Sequence, residues 1–201
     1  LEVRLEHISH WLSSLTKDSY AVASLSRKLS AVRMLARFLV GEDVMNNDFT
    51  ELLENPKKGR RLPHCLSIDE VEKFLECPDL NTPLGKRDRA LFELMYGSGF
   101  RVSEICTLPM NSLDLEEGFA RVFGKGSKER IVPVGRHAIH AIRNYIHGGR
   151  PHLTKDGTGG ELFLSMRGKG ISRKMVWVLV KEYAKRAGIE KNVTPHGLRH
   201  S

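Results

Sequence analysis

The chain has 201 residues, a hydrophobic content of 40% and a net charge of +8, which suits a globular protein of one or two domains. It has no run of eighteen apolar residues and no basic-then-apolar leader, so the sequence predicts neither a transmembrane helix nor a signal peptide. Three cysteines without CxxC spacing indicate reduced thiols in a cytoplasmic protein, and neither a disulfide framework nor a zinc site.

The positive charge is concentrated in one part of the chain. Residues 1–56 carry a net charge of −2, whereas residues 57–201 carry +10. An uneven basic charge of this kind favours a polyanionic partner such as nucleic acid.

Residues 1–54 are predicted to form a helical first domain that binds DNA. Two stretches repeat apolar residues at helical spacing, beginning at Ile8 and at Val22. The opposite side of the second stretch carries Arg27, Arg33 and Arg37. This side is either a solvated helix face or a face laid along a DNA groove with its arginines on phosphates or bases.

Residues 55–63 are predicted to be an interdomain linker, followed by a second domain over residues 64–201. Two prolines bracket the linker, one glycine lies inside it, and it carries Lys57, Lys58, Arg60 and Arg61. A linker needs no such charge, but a segment that crosses a DNA backbone does.

The second domain is predicted to be mainly helical. Ser67 and Glu70 form a capping-box pattern at the start of its first helix. The segment 161–165 is either a short strand or a buried turn. Further predicted elements are helices over 83–96, 101–108, 136–147 and 172–187, a break at Gly97-Ser98-Gly99, and two strands over 119–123 and 130–134.

The last eight residues predict a short helix with a phosphate site at its start. Thr194 is a good N-cap, and Pro195 suits the first helical position. His196 and Arg199 are three residues apart and therefore project from one face of the first turn. Helix N-termini favour anions, and an imidazole and a guanidinium strengthen that preference.

Three segments, taken in order, carry a resemblance to a known family. They are Gly97-Ser98-Gly99-Phe100-Arg101-Val102-Ser103-Glu104, Gly124-Lys125-Gly126-Ser127-Lys128-Glu129-Arg130, and the His196/Arg199 pair. Together they resemble the tyrosine recombinase (integrase) family, its Xer branch in particular. The resemblance implies a two-domain clamp on duplex DNA, with a helical core-binding domain and an α+β catalytic domain, mainly α with a small antiparallel sheet.

The resemblance also implies roles for the motif residues. Arg101 and Arg199 would clamp the non-bridging oxygens of the scissile phosphate, and Lys125 would be the general acid that protonates the leaving 5′ oxygen. His196 would handle the proton of the nucleophile or orient the phosphate. Lys128 and Arg130 would contact DNA phosphates. No metal and no other cofactor is expected, because arginines neutralise the charge of the transition state.

One feature of the family is not matched. Its members use a tyrosine nucleophile and another His or Trp well beyond the His-x-x-Arg pair. The four tyrosines of this chain, Tyr20, Tyr96, Tyr145 and Tyr183, all precede that pair in non-matching contexts. We expect either a recombinase that is truncated at both ends or a natural fragment that binds DNA without cutting it.

The function implied is site-specific recombination through a 3′-phosphotyrosyl intermediate, either in Xer-type resolution of chromosome or plasmid dimers or in integration of a mobile element. Its partners would be double-stranded DNA and other recombinase protomers in a synaptic tetramer, and the resemblance also allows a regulatory protein. Two other interpretations remain open. One is a type IB topoisomerase, which relaxes DNA as a monomer without paired sites. The other is a non-enzymatic DNA-binding protein that does not depend on Arg101 or Lys125.

Overall fold

The computed structural model describes residues 3–56, 65–123 and 129–201, without the side chains of Phe123 and His200. The chain forms two compact units, Leu1–Leu62 and Pro63–Ser201, and each is treated separately here. Most of the predicted linker lies outside the described residues, including all four of its cations. Lys125 and Lys128 also lie outside them. The clamp arrangement of the two domains stays a prediction.

The described residues are mainly helical with one small antiparallel sheet, as predicted. The first unit contains α1 (Leu5–Lys17) and α2 (Val22–Gly41). Within the described ranges, no helix is long and apolar enough to cross a membrane. The second unit contains α3 (Ile68–Glu76), α4 (Pro83–Ser98), α5 (Val102–Thr107), a 3₁₀ turn (Met110–Ser112), β1 (Leu113–Asp114), β2 (Phe119–Phe123), β3 (Glu129–Pro133), α6 (Arg136–Gly148), α7 (Arg150–Leu153), α8 (Arg173–Arg186) and α9 (Pro195–His200).

The first unit is less helical than the sequence predicts. Both predicted helices form and contribute buried leucines, but the chain after Gly41 makes turns instead of helix. Asp43 takes a left-handed backbone conformation with a φ of 54°. The Asp48 carboxylate accepts hydrogen bonds from the backbone N–H (2.8 Å) and the hydroxyl (2.5 Å) of Thr50. Such local side-chain bonds compete with helix formation and explain the difference.

Helix α4 is the centre of the second unit. Its residues Ala90, Leu91, Phe92, Leu94 and Met95 have no exposed surface at all. The helix lies against α3, α5, α6, α7 and α9, which cover most of its surface. Because five helices hold α4, its C-terminal end has a defined position, and this end leads into the segment that carries Arg101.

Two tyrosine hydroxyls form hydrogen bonds with polar groups that are buried in the core. Tyr145 is fully buried, and its hydroxyl accepts a hydrogen bond from the backbone N–H of Leu164 at 3.1 Å. The hydroxyl of Tyr183 donates to the buried carboxylate of Asp88 at 3.0 Å, and Asp88 pairs with the neighbouring buried Arg87 at 2.7 Å. Arg87 also donates to the carbonyl of Leu164 at 3.0 Å. These bonds satisfy charges that would otherwise be costly to bury.

The sheet has one strand more than predicted and the order β1-β2-β3, antiparallel throughout. Strand β1 has two residues, which is too short for any alternation to show in the sequence. Strand β3 begins one residue earlier than predicted, at Glu129, which pairs with Phe123. The segment 161–165 forms only isolated bridges at Glu161 and Leu164, and its middle residues are buried, which favours the buried-turn interpretation.

The helix signals near the motifs act largely as predicted. The Ser67 side chain accepts from the Glu70 N–H, and the Glu70 carboxylate accepts from the Ser67 N–H, which confirms the capping box. The predicted break after residue 96 is misplaced, because α4 continues through Gly97 and Ser98. It ends at Gly99, whose φ of 60° is left-handed and suits a glycine.

Replacing a glycine by alanine should have opposite effects on stability at two positions of α4. A Cβ at Gly85 would lie 2.0 Å from the Asp79 carbonyl oxygen, whereas a Cβ at Gly97 would meet nothing within 4 Å. We expect Gly85→Ala to lower the free energy of unfolding by about 1–3 kcal/mol or more. Gly97→Ala should raise it by about 0.5–1 kcal/mol. Urea denaturation of both variants checks this, and an unchanged Gly85→Ala would contradict the packing described.

Candidate active site

Arg101 lies where α4 passes into α5. After Gly99 turns the chain, Phe100 inserts into the core with only 1% of its surface exposed. Arg101 is the N-cap of α5 in an extended backbone conformation. Its side chain is 59% exposed. The buried neighbour fixes the backbone of Arg101, while more than half of the Arg101 side chain remains accessible to solvent.

The carboxylate of Glu104 joins Arg101 to the β-hairpin. One Glu104 oxygen accepts from the Arg101 backbone N–H at 2.8 Å, and the other from Arg101 Nη1 at 2.9 Å. The same two oxygens accept from Nη2 and Nη1 of Arg130, on β3, at 2.8 and 2.7 Å. Glu104 is 6% exposed at its side chain, so it connects two separate elements from inside the protein.

These bonds hold Glu104 in its charged form. Burial would raise the pKa of Glu104, but the hydrogen bonds from Arg130 and then Arg101 outweigh burial and lower the pKa to about 2. The carboxylate is therefore ionised at neutral pH and balances one of the two arginine charges. The pair of arginines around it keeps a net positive charge.

Helix α9 places the His196/Arg199 pair. As predicted, Thr194 caps it by accepting from the Gly197 N–H at 2.9 Å, and Pro195 begins it. Leu198 has no exposed surface and anchors the helix, which packs on α4 and α8. The hydroxyl of Ser201, which directly follows α9, accepts a hydrogen bond from the backbone N–H of Leu66 at 2.8 Å. Leu66 lies near the start of the second unit, so this bond joins the two ends of that unit.

The structure brings the arginine-bearing segments together. A Cβ built at Gly99 would lie 3.8 Å from Arg199 Nε, so the Arg199 side chain passes over the turn that precedes Arg101. Arg199 is half-buried and His196 is exposed. The segments of Arg101, Arg130 and Arg199 therefore meet at the C-terminal end of α4. Lys125 and Lys128 belong to the loop between β2 and β3, outside the described residues.

The arrangement suits an anion with several oxygens. A guanidinium has five N–H donors, and the structure shows Glu104 engaging one nitrogen of the Arg101 side chain. The exposed remainder of Arg101, with Arg199 nearby, can donate to phosphate oxygens in the bidentate way that guanidinium groups favour. In the described part of the chain, no three His, Cys, Asp or Glu residues are grouped as metal ligands.

Three of the predicted DNA-contacting arginines belong to the first unit. Arg27 and Arg37 are exposed on α2. Arg33 is half-buried, donates to Asn55 Oδ1 at 2.6 Å and also donates to the Leu53 carbonyl. Arg33 thus holds the segment after α2 in place. The predicted contacts Lys57, Lys58, Arg60 and Arg61 lie outside the described residues.

The sequence model of the phage integrase family matches residues 64–201, which include all of these motif segments. The chain belongs to the phage integrase family. The predicted membership in the tyrosine recombinases is therefore confirmed.

Known members of the family resemble the whole chain. A tyrosine recombinase XerD of Staphylococcus epidermidis is 44% identical over 194 residues, which are 96% of this chain and 66% of that protein. The chain thus spans slightly less than two thirds of this relative. The crystal structure of the XerA recombinase matches with a TM-score of 0.61 and 28% identity over 99% of this chain and 67% of that one. The XerH recombinase in a post-cleavage complex with its palindromic difH substrate has a TM-score of 0.79 and 21% identity over 100% and 60% of the two chains, and shows the fold alone.

The environments of the four tyrosines do not favour a nucleophilic role. Tyr145 and Tyr183 are buried, and burial raises the pKa of both hydroxyls, for Tyr183 with a further contribution from Asp88. Tyr96 packs partly buried against the core. Tyr20 is exposed but belongs to the first unit, where Lys28 lies 5.1 Å from its ring centroid.

Glu104 lies within one of the motif segments, but the sequence alone predicts no role for it. Its spacing of three residues after an N-cap is a capping-box signal, and this signal accounts for its bond to the Arg101 backbone. Nothing local in the sequence points to Arg130 as its second partner, because that contact depends on how the sheet packs on α5.

The low pKa of Glu104 predicts a pH-dependent contribution to stability. A carboxylate with a lowered pKa in the folded state stabilises above its unfolded pKa of 4.5, and this contribution is lost as the pH falls towards about 2. We expect the stability difference between wild type and Glu104→Gln to shrink by about 1–2 kcal/mol from about pH 6 to about pH 3. Urea denaturation across this range measures the difference.

Glu72→Gln, at an exposed carboxylate of α3, is the control and should show a smaller change with pH. A Glu104→Gln difference that stays constant with pH would contradict the ion-pair geometry.

Proposed function

We propose that this chain forms the DNA-binding and phosphate-activating part of a site-specific tyrosine recombinase, which cleaves and rejoins DNA through a 3′-phosphotyrosyl intermediate. The observation that carries the proposal is the meeting of Arg101 and Arg199 at the end of α4, with Arg101 held by an ionised Glu104. Family membership and the similarity to recombinases named XerD support it.

The two arginines act on the scissile phosphate. Attack by a tyrosine hydroxyl places extra negative charge on the non-bridging oxygens of a pentacovalent transition state. Arg101 and Arg199 donate hydrogen bonds to those oxygens and stabilise that charge. Because Phe100 and Glu104 fix Arg101, and Leu198 fixes α9, little reorganisation is needed when the charge develops.

Proton transfer completes the reaction. Lys125 gives a proton to the leaving 5′ oxygen, and His196 takes the proton of the tyrosine or orients the phosphate. The bond from phosphorus to the 5′ oxygen breaks as the bond to the tyrosine oxygen forms, and rejoining is the reverse. The nucleophile is a tyrosine other than Tyr20, Tyr96, Tyr145 and Tyr183.

Binding to duplex DNA involves the rest of the basic surface. Arg27 and Arg37 contact the backbone from the exposed face of α2, together with the linker cations and Lys128. Arg33, which is engaged by Leu53 and Asn55, contributes less.

Two protomers on each of two sites form the synaptic tetramer, and a regulatory protein controls cleavage. The 44% identity to a tyrosine recombinase XerD supports Xer-type dimer resolution over integration of a mobile element.

The oxyanion role of the arginines is tested in the full-length protein with a suicide substrate, in which cleavage cannot be reversed. We expect Arg101→Ala or Arg199→Ala to slow formation of the covalent adduct by roughly 10² or more, with DNA affinity within about tenfold of wild type. The control is Arg143→Ala, at an exposed arginine of α6, which should leave the rate unchanged. Full cleavage activity in either of the first two variants would refute their role.

A further inference from the structure

We propose that Arg130 is a positioning residue that docks the β2–β3 hairpin on α5 through Glu104, and that this docking supports general-acid catalysis by Lys125, which follows β2 along the chain. This role replaces the DNA contact that the sequence suggests for Arg130. The inference rests on the proposed function, in which Lys125 is the general acid.

The guanidinium of Arg130 is already committed to a protein carboxylate. Both of its terminal nitrogens bond the two oxygens of Glu104, at 2.7 and 2.8 Å. This paired geometry occupies the Nη1–Nη2 edge of the guanidinium, one of the two edges with which an arginine can bind a phosphate in a bidentate way. The Arg130 side chain is 36% exposed, and its partner is buried. A bidentate phosphate contact through this edge would have to displace the ion pair.

The ion pair lies close to the end of the hairpin that leads into the loop. Ala120 and Val122 on β2 and Val132 on β3 are buried and attach the two strands to the core. Arg130 pairs with Val122, one residue pair before the last one, Phe123 with Glu129, after which residues 124–128 connect the strands. The bond to Glu104 thus attaches the hairpin close to the start of the Lys125 loop.

One carboxylate serves both arginines, but their removal has different consequences. Glu104 also bonds the backbone and side chain of Arg101, so replacing Glu104 disturbs the phosphate clamp and the hairpin together. Replacing Arg130 detaches only the hairpin and leaves the two Arg101 bonds in place. The resulting defect should concern proton donation by Lys125, and not stabilisation of the non-bridging oxygens.

The chemistry of the leaving group separates these effects. A sulfur in place of the 5′-bridging oxygen leaves without a proton, so it removes the need for a general acid. In the full-length protein we expect Arg130→Gln to slow cleavage of normal suicide DNA about tenfold or more, because a misplaced general acid loses part of its usual contribution. On the 5′-thio substrate it should cleave within about threefold of wild type, and Arg130→Lys, which forms a single contact, should be intermediate on normal DNA.

Lys125→Ala is the reference and Arg89→Gln the matched control. Arg89 forms a comparable half-buried ion pair, with Glu93 at 2.9 Å, and donates to the Leu75 carbonyl at 2.7 Å, away from the motif segments. Arg89→Gln should lower stability without changing the ratio of rates on the two substrates. Lys125→Ala should be strongly slowed on normal DNA and rescued by sulfur, as expected for a general acid.

Two results would overturn the role of Arg130 while leaving the proposed function intact. One is an equal slowing of Arg130→Gln on both substrates when Lys125→Ala is rescued. The other is a loss of about 0.9 in the salt slope of DNA binding by Arg130→Gln, which would indicate a phosphate contact. A Lys125→Ala variant that sulfur does not rescue would refute the general acid itself and, with it, the hairpin role.

Discussion

The carboxylate of Glu104 is the contact on which the arrangement of the site depends. It accepts two hydrogen bonds from Arg101 and two from Arg130, and it is almost entirely buried. A buried carboxylate with this many donors remains charged. The helix that begins at Arg101 and the hairpin that contains Arg130 are consequently held in a fixed relation to each other.

The remaining parts of the site derive their positions from α4. Most of the surface of this helix is covered by neighbouring helices, and its last turn ends at Gly99, over which the side chain of Arg199 passes. Helix α9 is short, so its orientation depends on the buried Leu198 and on its packing against α4 and α8. Catalysis of phosphoryl transfer relies on charge that is placed before the reaction, and a rigid central helix provides that placement.

Local signals in the sequence predicted much of the second unit, because capping residues, helical periodicity and strand alternation are short-range properties. Ser67, Thr194 and Pro195 begin helices as expected. Other features escaped prediction: β1 is too short for a pattern, and the chain after Gly41 forms turns, among them the one in which Asp48 bonds Thr50, where the sequence predicts helix. Motif order indicated the site arginines, but only the packing of the sheet on α5 joins Arg130 to Glu104.

We propose that this chain belongs to an enzyme that forms a covalent bond between DNA and a tyrosine other than Tyr20, Tyr96, Tyr145 and Tyr183. The most direct test of this proposal is to trap the full-length protein on a suicide substrate, digest the adduct with a protease and identify the modified peptide by mass spectrometry. We expect a 3′-phosphotyrosyl linkage at a tyrosine outside these four. An adduct at one of these four, or the absence of any adduct on cognate DNA, would contradict it.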